Sequence, residues 1–137
     1  MNGLHAFGAS VIRAGTTKDD FKMALYLASA TKDATTSIYN TTGEVTGTNY
    51  VAGGEDVTTG TAPASSGTTA YFTPSTSVVF TNVTLAVSFD CAVLYNETSA
   101  GKNAVAVFTF GAQTVTAGDF TLTMPTNDSA TGLIRLG

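Results

Sequence analysis

Cysteine occurs once in these 137 residues, at Cys91, and histidine once, at His5. A lone cysteine excludes an intrachain disulfide and any zinc site built from several thiolates. Tryptophan is absent, and charged residues make up 12% of the chain, about half the share usual in a soluble globular domain. Six basic residues stand scattered against ten acidic ones, for a net charge of −4. No cluster among them could neutralise a row of phosphates, so no nucleic-acid partner is expected. No run approaches the roughly 20 apolar residues of a membrane span, so no membrane partner is expected either. Residues 1–15 hold one Arg and no sustained apolar stretch, unlike a secretory signal. The chain is therefore expected to be made and folded in a reducing cytosol.

What is present is strand-forming sequence. Hydrophobic residues reach 43%, enough for a core, which leaves Thr, Ser, Asn and Gly to form the surface. A surface this poor in charge resists association weakly, so partner chains are expected to cover part of it. Phe21, Met23, Leu25 and Leu27 fall on one face of a strand over 21–27, with Lys22 and Tyr26 opposite. Over 83–89 every odd position is large and apolar. Asp90 then interrupts, and 91–95 continues the strand past an expected bulge. The stretch 120–124 alternates again and stops at Pro125, which cannot donate to a ladder. Weaker strands are expected at 77–80 and 133–136. In the stretch 104–110, Ala-Val-Ala-Val-Phe-Thr-Phe, both faces are apolar, as in a strand covered on two sides. Its cover is expected from the N-terminal segment or from a neighbouring subunit, and Val105, Val107, Phe108 and Phe110 are the candidate subunit contacts.

Short runs of this kind, divided by Gly, Ser, Thr and Asn clusters, indicate an all-β fold. The expected architecture is an antiparallel β-sandwich, jelly-roll or immunoglobulin-like, in a single domain over 18–137 preceded by an N-terminal arm over 1–17. Residues 4–12 read equally as a helical turn or as an extended arm, because Gly3, Gly8 and Gly15 weaken any helix there. The segments 53–56 and 64–67 read as flexible loops. The Thr- and Gly-rich region 43–69 is long for a loop in a small domain, which suggests contacts outside it.

The residues offer little chemistry. His5 sits near a terminus, and a nucleophilic device needs an imidazole held between nucleophile and acid; the plain reading is a solvated side chain. Asp19-Asp20 and Glu55-Asp56 are sequence neighbours, so in an extended chain each pair points to opposite sides. They read as a strand start and a soluble turn. Asp90, Glu97, Asp119 and Asp128 follow no loop with acids at alternating positions, as a calcium site would require. Cys91 lies among apolar neighbours and reads as a small hydrophobe. Tyr39, Tyr50, Tyr71 and Tyr95 are the tyrosines expected at the surface, suited to a protein interface or a sugar platform. No metal or cofactor is expected, and no catalytic residue is assigned.

Three stretches carry a resemblance. Residues 21–26, Phe-Lys-Met-Ala-Leu-Tyr, are followed by a Thr-rich loop over 29–36 and by Thr-Gly-Glu-Val-Thr-Gly-Thr-Asn-Tyr-Val-Ala-Gly-Gly over 42–54. Asn103 to Gly111 and Ala117 to Pro125 complete the series. This order resembles a group of small tailed-bacteriophage virion proteins over most of residues 21–136. The resemblance implies a capsid decoration (cement) protein, homotrimeric and bound to the major capsid protein. It would sit on the virion surface after synthesis in the host bacterial cytoplasm. Leu4, Phe7, Val11, Tyr50 and Val57 are the candidate capsid contacts. The rival expectations are a head–tail adaptor or tail component, and a carbohydrate-binding adhesion module.

Overall fold

The computed structural model describes His5, Phe7 and residues 18–137. Among them the fold is all-β, with no helix and seven strands: β1 (Phe21–Leu27), β2 (Glu55–Val57), β3 (Ala64–Ser66), β4 (Thr69–Phe72), β5 (Val78–Asn96), β6 (Ala104–Leu122) and β7 (Ile134–Leu136). They form a four-stranded sheet in the order β2-β1-β5-β6 and a three-stranded sheet in the order β3-β4-β7. Every pairing is antiparallel.

β1 has the bounds its alternation predicts, and it lies inside the sheet with both faces covered. Phe21, Met23 and Leu25 enter a large cluster with Phe80, Val83, Leu85, Phe89 and Leu94. Ala24 and Tyr26 point the other way, into a smaller cluster with Cys91, Val93 and Tyr95. Each such side chain, once buried, contributes roughly 1.5–3 kcal/mol of hydrophobic stabilisation, so a strand feeding two cores is the natural spine of the domain.

The four expected strands at 77–80, 83–95, 104–110 and 120–124 are two long ones. Polar interruptions that look like turns are irregularities within a continuous β5–β6 ladder, with register shifts between Phe80 and Val83, Leu85 and Phe89, and Phe89 and Cys91. Asn82 and Ala117 take positive φ values of 49° and 47° at these sites. Asp119 stabilises the first of them by accepting the Asn82 N–H at 2.7 Å. The expected bulge at Asp90 is present: β1 pairs Tyr26 with Cys91 but Leu27 with Phe89. One consequence departs from simple alternation. Between Leu85 and Phe89 β5 has more residues than β6, so Val87 is turned outward and exposed.

Segments 53–56 and 64–67 are ordered structure, not flexible loops. Gly54 (φ 76°) lies so close to β1 that a Cβ there would fall 1.9 Å from the Met23 carbonyl oxygen. Ser66 pairs with Thr69, which leaves Gly67-Thr68 as a two-residue hairpin loop whose first position, Gly67, has φ 58°. Glycine first in such a loop matches the strand twist.

Candidate interaction surface

Glu44, which sequence reasoning passed over as a candidate acid, organises the long connection between β1 and β2. It is buried, and its carboxylate accepts the Tyr39 hydroxyl at 2.7 Å, the Tyr50 hydroxyl at 2.8 Å and the Gly53 N–H at 2.7 Å. Tyr50 in turn accepts the Leu25 N–H of β1 at 3.0 Å. Tyr95 donates to the Gly53 carbonyl and Tyr26 to the Asn40 carbonyl. A buried carboxylate with three donors is satisfied, where an unpaired one would be costly. Burial, with Glu44 nearby, raises the Tyr26, Tyr39 and Tyr50 phenols above their usual range. Tyr95 is raised by burial and then by Glu97.

This network corrects the surface placement of two tyrosines. Tyr95 is fully buried and stacks on Tyr39 with ring centroids 4.5 Å apart. Tyr50 is half-buried with its hydroxyl engaged, so it presents no free aromatic platform for a sugar. Tyr39 and Tyr71 are half-buried as well. The signal for the network was available in the Tyr-x4-Glu-x5-Tyr spacing of 39, 44 and 50, but nothing local says that the three meet.

The other candidate residues are placed as follows. Val57 is buried in the larger core, so its side chain does not face outward. Phe7 lies between the two sheets, its ring centroid 4.7 Å from Phe21 of one and 4.7 Å from Phe72 of the other. Leu4 and Val11, like the rest of the expected arm apart from His5 and Phe7, lie outside the described residues. His5 is half-buried instead of solvated: its ring centroid is 6.1 Å from that of Phe21, and Asn96 Nδ2 is 3.4 Å from Nδ1. Asn96 Nδ2 also donates to Asp19 at 2.8 Å; Asp19 stands at the start of β1, as expected, and is buried there.

Glu55-Asp56 forms β2, and Asp56 meets Lys22 at 2.8 Å. That pair, Lys18–Asp20 at 3.4 Å and Glu97 line a cleft of about 470 Å³ beside β1 and β2. Exposed pairs of this kind contribute at most about 1 kcal/mol each. Cys91 is buried, and burial, followed by the nearby Asp90, raises its thiol to about 11. It is thiol, not thiolate, at neutral pH.

β6 holds the candidate subunit contacts, and its two apolar faces have different partners. Val105, Phe108 and Phe110 pack against the larger core, and Val107 against the smaller one. Ala30 and Tyr39, from the segment after β1, pack against that smaller core too. The second cover expected from another subunit is thus supplied in part by the chain itself. Among the described residues the strand's outer edge is covered only in part: Ala104 N–H donates to Ser37 O at 2.9 Å, and Ile38 bridges Asn103 just before the strand. β6 neighbours β5 alone in the sheet, and every residue along it is half-buried or exposed. A groove of about 350 Å³ runs there, between Lys32–Thr36 and the Val105–Thr109 stretch. Val105, Ala106 and Val107 all line it. Consecutive strand residues point to opposite faces, so they share one groove only where it follows the edge.

No protein-family model matches the chain, no curated protein matches it, and no solved structure matches it. The resemblance to tailed-phage virion proteins stands on its motifs alone.

Proposed function

We propose that this chain is a structural, adhesive component of a tailed-phage particle, a capsid decoration protein that binds major capsid subunits and works without catalysis. In this reading the two sheets stack as a β-sandwich, of jelly-roll or immunoglobulin-like type, with Phe7 wedged between Phe21 and Phe72. The observation that carries the reading is β6: nineteen residues with one charged side chain, Asp119, and an outer edge that no other named strand among the described residues pairs with. Such an edge is a ready template for pairing with another chain. The framework behind it is held by polar groups that engage one another, as the Glu44 network illustrates. A protein that cements a lattice needs that combination of a rigid body and an uncharged adhesive line.

Calorimetry of particles with and without the protein tests the reading. A higher melting temperature for decorated heads is expected, and equal melting temperatures would overturn it. Quantifying the protein against the major capsid protein separates it from a head–tail adaptor, which would be present in only a handful of copies per particle.

A further inference from the structure

We infer that the three-stranded sheet β3-β4-β7 opens as a unit while the four-stranded sheet stays folded, and that Phe7 is the latch that holds it shut. The inference concerns the isolated chain and stands whether or not the protein decorates a phage head.

Apolar burial is divided unequally between the sheets. The buried members of the larger core lie on β1, β2 and β5, with Val45 added from the connection after β1. The small sheet sends Ile134 to that core, and Ile134 is only partly buried there. β3 is exposed at every residue and β7 at two of its three. Within β4, Phe72 is the one buried residue. Units with little buried apolar surface are the ones that open below the free energy of global unfolding.

Backbone pairing gives the same division. No strand of one sheet pairs with a strand of the other, and β4 holds β3 and β7 by three residue pairs each. The chain crosses between the sheets at 58–63, 73–77 and 123–133. Ser75 N–H donates there to Thr58 O at 2.9 Å, and Met124 N–H to Ser77 Oγ at 3.2 Å. These bonds tie the crossings to one another, which makes them a hinge. Leu133 N–H donates to Thr73 Oγ1 at 2.9 Å, so the crossing ends nearest the small sheet travel with it.

Phe7 closes the seam from outside both sheets. Its ring lies 4.7 Å from Phe21 of β1, nearly parallel at 12°, and 4.7 Å from Phe72 of β4 at 34°. His5 rests against Phe21 and Asn96, which places the segment carrying the latch on the four-stranded side. Packing at the seam is otherwise incomplete. Met23, Phe108, Leu122, Met124 and Leu133 line a cavity of about 110 Å³, and wall atoms that face a void forgo dispersion contacts. Opening would uncover Phe21 and Phe72 together. A partner that draws Phe7 out therefore shifts the population toward the open form.

Native-state amide hydrogen exchange on the full chain, across a low-urea series, reads these openings over minutes to hours. The protected amides of β4 and β7 should share one opening, at least about tenfold more populated than the one that exposes the β1–β5 ladder. Phe7→Ala should speed exchange in β4 and β7 by about tenfold, with Phe7→Leu falling between it and the native chain. Val93→Ala separates the two units, because Val93 is buried in the smaller core on the face of the sheet away from the seam. It should speed the β1–β5 amides by about tenfold and leave β4 and β7 within about twofold of native. One opening common to both sheets, with Val93→Ala speeding every amide alike, would overturn the inference. Exchange in β4 and β7 that ignores Phe7→Ala would remove the latch.

Discussion

The outer side of β1 and the outer side of β6 are edges of the same sheet treated in opposite ways. Beside β1, residues 43–57 fold back and close the edge with backbone hydrogen bonds, and a buried carboxylate fastens that segment down. Beside β6, among the described residues, the segment 32–39 is fastened by backbone hydrogen bonds only at its end, to Lys102 and Ala104, and the side chains of the strand stay half-buried or exposed. The difference lies in the connecting segments, since both strands are rich in apolar residues. One long Thr- and Gly-rich connection contains Glu44 and the glycines that allow close approach, while β6 continues directly from a short turn. A closed edge is fixed by tight tolerances and should be fragile to substitution, whereas an open edge should be tolerant.

The largest expected effect is Gly54→Ala. The added methyl would collide with the Met23 carbonyl of β1, at a backbone with φ 76° that disfavours any side chain. A loss of roughly 3 kcal/mol or more is expected in urea unfolding. Gly111→Ala on the open edge is its counterpart, with open space around the new Cβ, and a change within about 0.5 kcal/mol is expected. Equal losses at the two positions would abolish the contrast.

Glu44 comes next. Glu44→Ala leaves two phenols and the Gly53 N–H without their acceptor, and a loss of about 3 kcal/mol is expected. Glu44→Gln keeps an acceptor and the shape, so about half that loss is expected. Should the two variants unfold at the same denaturant concentration as the native chain, the carboxylate would not be the fastener.

Phe7→Ala is expected to be milder, about 1–2 kcal/mol, because Phe7 is only partly buried although it touches both sheets. Sequence alone assigned Phe7 to an external partner. The structure makes it an internal contact, so the substitution should lower the melting temperature of the isolated protein. No change in the isolated protein, with weaker head binding, would restore the external role.

Much of the framework was legible, for reasons specific to each element. β1 and the core run of β5 were visible because large apolar residues alternate along both, although β1 buries both of its faces and Val87 departs from the pattern in β5. β3 and β4 were hidden, since Ala-Ser-Ser and Thr-Ala-Tyr-Phe are too short to show a period, whereas the short extended piece that the sequence suggests around Val57 coincides with β2. The continuity of β5 and β6 was hidden by Thr81-Asn82 and by the Gly111 and Gly118 regions. Polar residues there mark irregular pairing as readily as turns, and only the register distinguishes them. The interaction edge was half legible: two apolar faces on 104–110 signalled double cover, but who supplies the cover is a tertiary fact. Glu44 was the clearest omission. Its partners lie five, six and nine residues away along an irregular path, and no periodicity points to them.

The smallest effect concerns a carboxylate fastened much like Glu44, but at the surface. Asp128 accepts the N–H groups of Ala130 and Thr131, each at 2.7 Å, and the Thr131 hydroxyl at 2.8 Å. The hydroxyl bond to Thr131 first, then the two backbone N–H bonds, hold its carboxyl below the usual value of 3.8, and Arg135 adds to this. A carboxyl depressed on folding contributes stability above its unfolded pKa, and that contribution disappears as pH falls through the folded value. Asp128→Asn should therefore melt slightly below the native chain at pH 7, with the gap closing as the medium is acidified below the unfolded carboxylate pKa. Water screens this site, so the gap should be far smaller than for Glu44→Gln. Carboxyl-carbon NMR across the acid range checks the cause: the Asp128 midpoint should lie below 3.8 and move up in Thr131→Ala. If the midpoint ignores the loss of Thr131, hydrogen bonding does not set it, and burial alone cannot explain why one fastened carboxylate matters more than the other.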